Sequence, residues 1–302
     1  MQSINQHIIF EGISLTVKRE DQLHPEISGN KYRKLKYNIK EAQKRQQKTL
    51  LTFGGAYSNH IAATAAAGKE YGFKTIGIIR GDELKDRVTE NPTLSFAQSC
   101  GMKFKFISRA EYRQKEELIF IEALEKEFGD FYLIPEGGTN KLAVKGCEEI
   151  LTKDDVNFDY ICTCVGTGGT IAGIINSANL PSRQVGAKQK VLGFSALKGN
   201  FLEEEIQKYT PLKNWQLITD YHFGGYGKIK PELITFINQF KEQTGIPLDP
   251  VYTGKMLFGI IDMIEKNRIE KNSKILVIHT GGLQGIKGIN AKLRQQKLPQ
   301  IE

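Results

Sequence analysis

Short runs of β-branched and aliphatic residues alternate along this chain with stretches in which apolar residues recur every three or four positions. The first pattern is typical of buried strands and the second of amphipathic helices. From about residue 49 the runs predict strands at 49–53, 74–80, 103–108, 131–135, 160–165, 190–195 and 274–279. The stretches between them predict helices at 58–71, 91–100, 110–128, 141–151, 168–178, 231–243 and 256–266. This order predicts an α/β fold with mostly parallel strands and helices on both faces.

Glycine-rich segments interrupt this pattern at five places. They are 54–60, 136–140, 166–170, 224–227 and 279–282. Ligands of α/β folds bind where strands end at their carboxyl edge and loops lead into helices. We therefore expect the chemistry of this protein at these segments.

The segment 166–170, Gly-Thr-Gly-Gly-Thr, follows an apolar strand and opens an apolar helix. Glycines let the backbone approach an anion closely, and the amide groups at a helix N-terminus attract negative charge. The hydroxyls of Thr167 and Thr170 can add donors. The segment is neither a Walker loop nor a dinucleotide fingerprint. Taken alone, it leaves phosphate binding and tight glycine packing equally open.

A second cluster, residues 28–35, places Lys31 directly after Gly29 and Asn30, at the expected start of a helix. Cations are disfavoured near the positive end of a helix dipole, so the amine form of this lysine is favoured. The amine is the form that a Schiff-base nucleophile requires. A surface lysine beside a glycine turn is the alternative that this segment leaves open.

The composition is that of an ordinary globular protein, with 302 residues, 40% of them hydrophobic, and a net charge of +8. The densest basic stretch, 31–48, has the pattern of an amphipathic helix, and no nucleic-acid motif accompanies it, so we expect no nucleic-acid partner. No apolar run approaches the roughly 18 residues of a membrane helix, and the first residues lack a secretory pattern. We expect a cytoplasmic protein without membrane contact.

The four cysteines, at 100, 147, 162 and 164, are too few for a disulfide scaffold and form no C-x2-C pair. We therefore expect no metal site. Cys162 and Cys164 lie two apart in a predicted strand, so both should face the same side as small core residues.

Several of these segments, taken in order, carry a resemblance. They are Gly29-Asn30-Lys31 with Arg33-Lys34-Leu35, Ser58-Asn59-His60, the 166–170 loop, Asp249-Pro250-Val251-Tyr252-Thr253-Gly254-Lys255, and His279-Thr280-Gly281-Gly282. Together they resemble the pyridoxal-phosphate enzymes of the tryptophan synthase β-subunit fold type. More narrowly, the set is similar to the family of D-cysteine desulfhydrases and 1-aminocyclopropane-1-carboxylate (ACC) deaminases. The resemblance spans about residues 15–290.

The resemblance implies a role for each matching residue. Lys31 matches the lysine that binds the cofactor covalently, and Asn59 the asparagine at the ring hydroxyl. The loop that binds the cofactor phosphate is matched by Gly166, Thr167, Gly168, Gly169 and Thr170. Substrate contacts fall to Ser58, Asn59, His60, Tyr226, Tyr252 and Thr253, and Thr280 lies at the cofactor. Lys31, Ser58, Tyr226 and Tyr252 would be the catalytic residues, with the freed lysine, or Ser58 beside it, removing the α-proton.

The same resemblance separates two reactions. ACC deaminases of the family carry Glu after the Asp-Pro-Val-Tyr tyrosine and Leu in the His-x-Gly-Gly junction, whereas the desulfhydrases carry small hydroxyl residues at both positions. This chain has Thr253 and Thr280. A carboxylate near the ring nitrogen strengthens the electron sink that ring opening requires, whereas a hydroxyl suffices when a β-thiol leaves. We therefore expect conversion of D-cysteine to pyruvate, sulfide and ammonia.

Two alternatives stay open. One is ACC deamination on the same scaffold, giving 2-oxobutanoate and ammonia. The other is a catalytically lapsed protein that holds an anionic ligand or nucleic acid.

The resemblance also implies two open, twisted, mostly parallel sheets flanked by helices, with pyridoxal phosphate in the cleft between two domains. The smaller domain, residues 35–146, would be inserted into a larger one formed by residues 1–34 and 147–302. A homodimer that acts on a small amino acid is expected.

Overall fold

The computed structural model describes residues 1–179 and 189–302, and its strands form two separate β-sheets flanked by helices. The strands are β1 (Asn5–Phe10), β2 (Ile13–Lys18), β3 (Thr49–Gly55), β4 (Lys74–Arg80), β5 (Lys103–Ile107), β6 (Tyr132–Ile134), β7 (Tyr160–Val165), β8 (Lys190–Ser195), β9 (Trp215–Ile218) and β10 (Ile275–Ile278). The helices are α1 (Asn30–Lys44), α2 (Asn59–Tyr71), α3 (Pro92–Ser99), α4 (Arg109–Tyr112), α5 (Leu118–Phe128), α6 (Lys141–Cys147), α7 (Gly169–Ala178), α8 (Leu202–Gln207), α9 (Pro231–Thr244), α10 (Thr253–Glu265) and α11 (Gly285–Gln295).

The strand order confirms the predicted fold class. The larger sheet runs β1-β2-β10-β7-β8-β9 and the smaller one β5-β4-β3-β6. Neighbouring strands pair in parallel, except in the antiparallel hairpin of β1 and β2. The strands of the smaller sheet all lie within residues 35–146 and those of the larger sheet outside it. The exact domain boundaries stay a prediction.

All seven predicted strands are present, and the structure adds β1, β2 and β9. In β1, Ile8 and Phe10 are buried whereas Ile9 is 63% exposed. The apolar residue on the outer face hides the alternation that would have marked a strand with one buried face.

Three predicted helices have clearly different bounds in the structure, and one of them, 141–151, ends at Cys147 as α6. The stretch 110–128 is two helices, α4 and α5, separated by residues 113–117, which are Arg-Gln-Lys-Glu-Glu. This segment offers no apolar side chain to bury, so one continuous helix gains nothing from packing there. The stretch 256–266 begins earlier, at Thr253.

Strand β7 lies at the centre of the larger sheet and packs against helices on both faces. Cys162 and Cys164 face the side of α10, where they join the core that contains Met256. Ile161 faces the opposite side, with Ile174 of α7. Burial of both faces explains the continuous apolar run of this strand and confirms the predicted packing of the two cysteines.

Four loops bring residues from both sheets together at the carboxyl ends of their strands. The loops after β3 and β6 come from the smaller sheet, and those after β7 and β10 from the larger one. None of the helices in residues 1–179 and 189–302 is long and apolar enough to cross a membrane.

Candidate active site

The loop after β7 leaves the start of helix α7 open toward a pocket that we call the inner pocket. Gly168 is the N-cap residue of α7, its φ is 80°, and no side chain caps the helix. The first amide groups of a helix have no partner within the helix, so they are available to an anion. The backbone of the 166–170 segment is therefore suited to phosphate binding.

The N-cap residue of helix α1 is a glycine that no other residue could replace without a shift of the backbone. Gly29 has a φ of 60°, and a Cβ atom built there would lie 1.8 Å from the carbonyl oxygen of Thr280. Two positions later, Lys31 lies in the first turn of α1, as predicted. Lys34 follows one turn on, which places both lysines on the same face of the helix.

The two lysines are held differently. The buried Nζ atom of Lys34 donates to the carbonyl oxygen of Gly137 at 2.9 Å and to the hydroxyls of Thr139 at 2.8 Å and Thr167 at 3.2 Å. The Nζ atom of Lys31 lies 3.5 Å from the same carbonyl. Lys34 is therefore fixed beside the 166–170 loop, whereas the amino group of Lys31 is loosely held.

Burial decides the protonation of both groups. It lowers the pKa of Lys31 below the ordinary value. Burial, and then the charge of Lys31, lower the pKa of Lys34 well below its ordinary value. The expected amine form of Lys31 is thus favoured, although the main cause is desolvation rather than the helix dipole.

A buried ion pair anchors the first turns of α1. Arg33 donates from Nε and Nη2 to the two carboxylate oxygens of Glu20, at 2.9 Å in each case. Both side chains are almost fully buried, and the bidentate geometry fixes their relative orientation. This pair limits how far α1 can move relative to the larger sheet.

The segment after β3 presents Ser58, Asn59 and His60 to the inner pocket. The Oγ atom of Ser58 caps α2 by accepting from the amides of His60 at 3.2 Å and Ile61 at 3.4 Å. Its hydroxyl proton stays available as a donor. Asn59 accepts a hydrogen bond from Gln284 at 3.0 Å, so it joins the two sides of the site. Ser58 is both the helix cap and a pocket residue.

The hydrogen bonds around His60 determine its tautomer. Thr52 donates its hydroxyl proton to the carbonyl of Ile134 at 2.8 Å, so its oxygen accepts from Nε2 of His60 at 2.8 Å. Burial, and then the neighbouring lysines, lower the pKa of His60 well below its usual range. The ring is therefore neutral, and its Nδ1 atom has no hydrogen-bond partner among the described residues.

Tyr226 and Tyr252 form a T-shaped pair, with ring centroids 6.1 Å apart and an interplanar angle of 67°. Burial raises the pKa of each phenol above the ordinary value, so both are neutral donors at physiological pH. The loop that carries Tyr226 is tied to α10 by Lys255, which donates to the carbonyls of His222 and Gly225 at 2.9 Å each.

The two threonines of the sequence argument lie in different surroundings. Thr280 lines the inner pocket, and its hydroxyl lies 2.9 Å from the thiol of Cys164. Thr253 is fully buried and donates its hydroxyl to Asp249 at 2.8 Å. Thr253 is absent from the described residues that line the pocket, so its predicted contact with substrate stays a prediction.

The structure brings most of the predicted site together. The predicted site residues that line the inner pocket are Lys31, Ser58, Asn59, His60, Gly166, Thr167, Gly168, Thr170, Tyr226, Tyr252 and Thr280. Gly169 and Thr253 lie behind this surface. The lining residues that sequence reasoning did not predict as site residues are Asn30, Lys34, Gly137, Cys164, Val165, Ile171 and Gly281. The spacing of Lys34 from Lys31 was the available signal for one of them.

The charges of the inner pocket are one-sided. Lys31 and Lys34 line it, and none of the lining residues in the described chain is an Asp or Glu. The described lining thus lacks a negative charge, and an anion bound beside the two amines would favour their protonated forms. A phosphate at the open end of α7 supplies that charge, and Lys31 lies within the same pocket to bind a carbonyl carbon. The residues present therefore fit pyridoxal phosphate.

Comparisons with known proteins agree with this geometry. The family described as "Pyridoxal-phosphate dependent enzyme" matches residues 7–281. A putative ACC deaminase of Pyrococcus horikoshii is 31% identical, over 91% of this chain and 86% of that protein. A mitochondrial bifunctional D-cysteine desulfhydrase and ACC deaminase of Arabidopsis thaliana is 35% identical, over 91% of this chain and 74% of that protein.

The structural comparison extends over nearly the whole chain. The crystal structure of an ACC deaminase homologue superposes with a TM-score of 0.81 at 29% identity, covering 98% of this chain and 94% of that one. The fold is that of the tryptophan synthase β-like enzymes. With the matched residues 7–281, this chain belongs to the pyridoxal-phosphate dependent enzymes, within the family of ACC deaminases and D-cysteine desulfhydrases.

Proposed function

We propose that this protein is a lyase that converts D-cysteine and water to pyruvate, hydrogen sulfide and ammonia. The observation that carries this proposal is the uncharged wall of the inner pocket, where Thr280 pairs with Cys164 and no carboxylate lines the described surface. Burial raises the pKa of the Cys164 thiol to about 12, so this wall stays neutral. Such a wall suits a reaction in which a good leaving group departs.

The cofactor, when bound, supplies a ring that withdraws electrons from the substrate α-carbon. The chain supplies the rest. The open end of α7, with Lys34 and the hydroxyl of Thr167, would hold the phosphate. Lys31 would hold the carbonyl carbon, because its amine form is favoured and its amino group is loosely tied.

Protons would be moved by the side chains of the pocket that have a free donor or a free lone pair. The amine of Lys31, once released, can accept the α-proton, with the Ser58 hydroxyl beside it in the pocket. The neutral phenols of Tyr226 and Tyr252 can donate to the substrate.

ACC deamination is the second candidate. It is favoured by the names of two relatives, the putative ACC deaminase of P. horikoshii and the bifunctional A. thaliana protein. The bifunctional relative is named for both activities. We also propose a homodimer in the cytoplasm, which the family resemblance implies.

The deciding experiment is turnover by purified protein reconstituted with pyridoxal phosphate. We expect sulfide and pyruvate from D-cysteine, and little product from L-cysteine or ACC. Production of 2-oxobutanoate from ACC at a higher kcat/KM would favour the second candidate. Lys31→Ala is the control: it should abolish the visible absorption of lysine-bound cofactor and lower turnover by at least about 100-fold. Turnover that survives this change would contradict the assignment of Lys31.

A further inference from the structure

A second cavity of about 230 Å³ adjoins the inner pocket, and we call it the outer cavity. Asn59, Tyr226 and Tyr252 line both spaces. The T-shaped pair of tyrosine rings therefore lies where the two spaces meet. The other walls come from the segment 249–251, from the loop with Gly227 and Lys228, and from α11. A molecule that moves between the two spaces must pass the tyrosines.

The outer cavity has an unbalanced charge. Asp249, Lys228 and Lys292 are the charged residues on its described surface. Both carboxylate oxygens of Asp249 are occupied: one accepts from the amides of Val251 and Tyr252, the other from the amide and hydroxyl of Thr253. The carboxylate keeps its charge, but both of its oxygens already have hydrogen-bond partners at the start of α10.

The two lysines are not balanced in this way. Neither Lys228 nor Lys292 forms a salt bridge with any carboxylate in the parts of the chain that the structure describes. The Nζ atom of Lys292 lies 4.4 Å from the ring centroid of Tyr57, which holds this charge over the cavity wall. Two exposed cations therefore face one cavity whose described surface holds a single carboxylate, and neither cation is paired with it.

We propose that the outer cavity is an entry site that binds the carboxylate of a small amino acid before it passes the tyrosine pair into the inner pocket. This inference rests on the proposed function and deepens it by naming how the substrate is selected. The cavity is smaller than the roughly 300–1,000 Å³ typical of sites for drug-sized ligands, so it suits a small metabolite. A small amino acid is a zwitterion at neutral pH, so the two lysines would act at close range on its carboxylate, through charge-assisted hydrogen bonds.

The test is neutralisation of the two lysines. We expect Lys228→Gln with Lys292→Gln to lower kcat/KM for the preferred amino acid by about three- to tenfold at low salt. The value of kcat should change by less than about twofold, because neither lysine lines the inner pocket. At about 0.5 M salt the difference should largely disappear, since screening acts on exposed charges. Lys287→Gln is the matched control, an exposed lysine of α11 outside the cavity lining.

A probe without a carboxylate makes the test specific. Cysteamine lacks the carboxylate of cysteine and is a cation, so the rate at which it changes the visible absorption of the bound cofactor should not fall when the two lysines are neutralised. The same rate for D-cysteine should fall in the double variant. Equal rates for D-cysteine in wild type and double variant at low salt would overturn the entry site, and so would an equal loss with Lys287→Gln.

The absorption measurement also keeps the two proposals apart. If the wild-type protein turns over neither D-cysteine nor ACC, the proposed function fails, yet the rate of the spectral change still reports entry of the amino acid. If turnover is found but kcat/KM depends on neither the two lysines nor the salt concentration, the entry site is contradicted and the proposed function is not.

Discussion

Two helices begin at the edge of the site, and their N-termini are treated in opposite ways. At α10, Asp249 accepts three backbone amides, those of Val251, Tyr252 and Thr253. At α7, the N-cap residue is Gly168 and no side chain accepts from the first turn. The chain thus supplies its own anion to one helix and leaves the other without one.

The difference separates a structural end from a binding end. Amides at a helix start need acceptors, and an acid placed before the helix provides them permanently. Where glycines stand instead, and buried Lys34 lies alongside, the acceptor has to come from a ligand. The open N-terminus of α7 suits the phosphate of the cofactor that this family uses. The hydrogen bonds of Asp249 at the N-terminus of α10 instead hold Tyr252 in place.

Placing a negative charge at the open N-terminus of α7 should have the largest effect, and that effect is on cofactor affinity. Thr167→Asp would place a carboxylate beside Lys34 and the start of α7, where it would repel a phosphate group. Like charges in contact cost several kcal/mol, so we expect affinity for pyridoxal phosphate to fall by at least about 100-fold. Titration of the apoprotein, followed by visible absorption, measures this. Thr167→Ser keeps the hydroxyl and should bind normally; wild-type affinity in the aspartate variant would show that phosphate does not use this end.

Removing the Asp249 carboxylate from the N-terminus of α10 should have a smaller effect, and that effect is on stability. Asp249→Ala leaves three amides and the Thr253 hydroxyl without their acceptor. Caps contribute roughly 0.5–2 kcal/mol, and unsatisfied buried donors add to this, so we expect a loss of about 2–3 kcal/mol in the free energy of unfolding.

Urea unfolding measures the loss, and Asn91→Ala is the matched comparison. Asn91 caps α3 by accepting two amides, from Thr93 and Leu94 at 3.0 Å each, without a hydroxyl. Its removal should cost about 1 kcal/mol. Equal losses in the two variants would mean that the additional bonds of Asp249 contribute no net stability.

The same contrast explains what the sequence could predict. Glycine-rich segments after apolar strands identified the open end of α7, because the missing side chains are themselves the signal. The acid at 249 was visible too, but nothing local shows that its oxygens take the hydroxyl of Thr253. That bond turns Thr253 away from the inner pocket, which a motif comparison cannot detect.

Packing between the sheets was the other limit. Gly137 and Thr139 reach Lys34 because the loop after β6 meets α1 and the loop after β7. These residues are far apart in sequence, and no periodicity encodes their contact. The strands of the larger sheet were predicted where both faces are buried, as in β7. They were missed in the edge strands β1 and β9 and in β2 next to β1, where burial is only partial.

The smallest expected effect concerns the cost of keeping Lys34 at the open end. Its pKa in the fold is lowered by burial and then by Lys31, against an ordinary value of 10.5. Between the lowered pKa and 10.5 the unfolded chain holds a proton that the folded chain has released. The free energy of unfolding of the cofactor-free protein should therefore rise with pH through this window.

Lys34→Met should reduce that slope while weakening cofactor binding, and Lys44→Met, an exposed change on the same helix, should leave both unaltered. Urea unfolding of the apoprotein at pH 7 and pH 9.5 compares the three proteins. Lys31 and Lys255 also have lowered pKa values, so part of the slope should persist. An unchanged slope in Lys34→Met would mean that this lysine keeps its proton in the fold, held by its three oxygen partners, and that the open end carries a full positive charge before any ligand arrives.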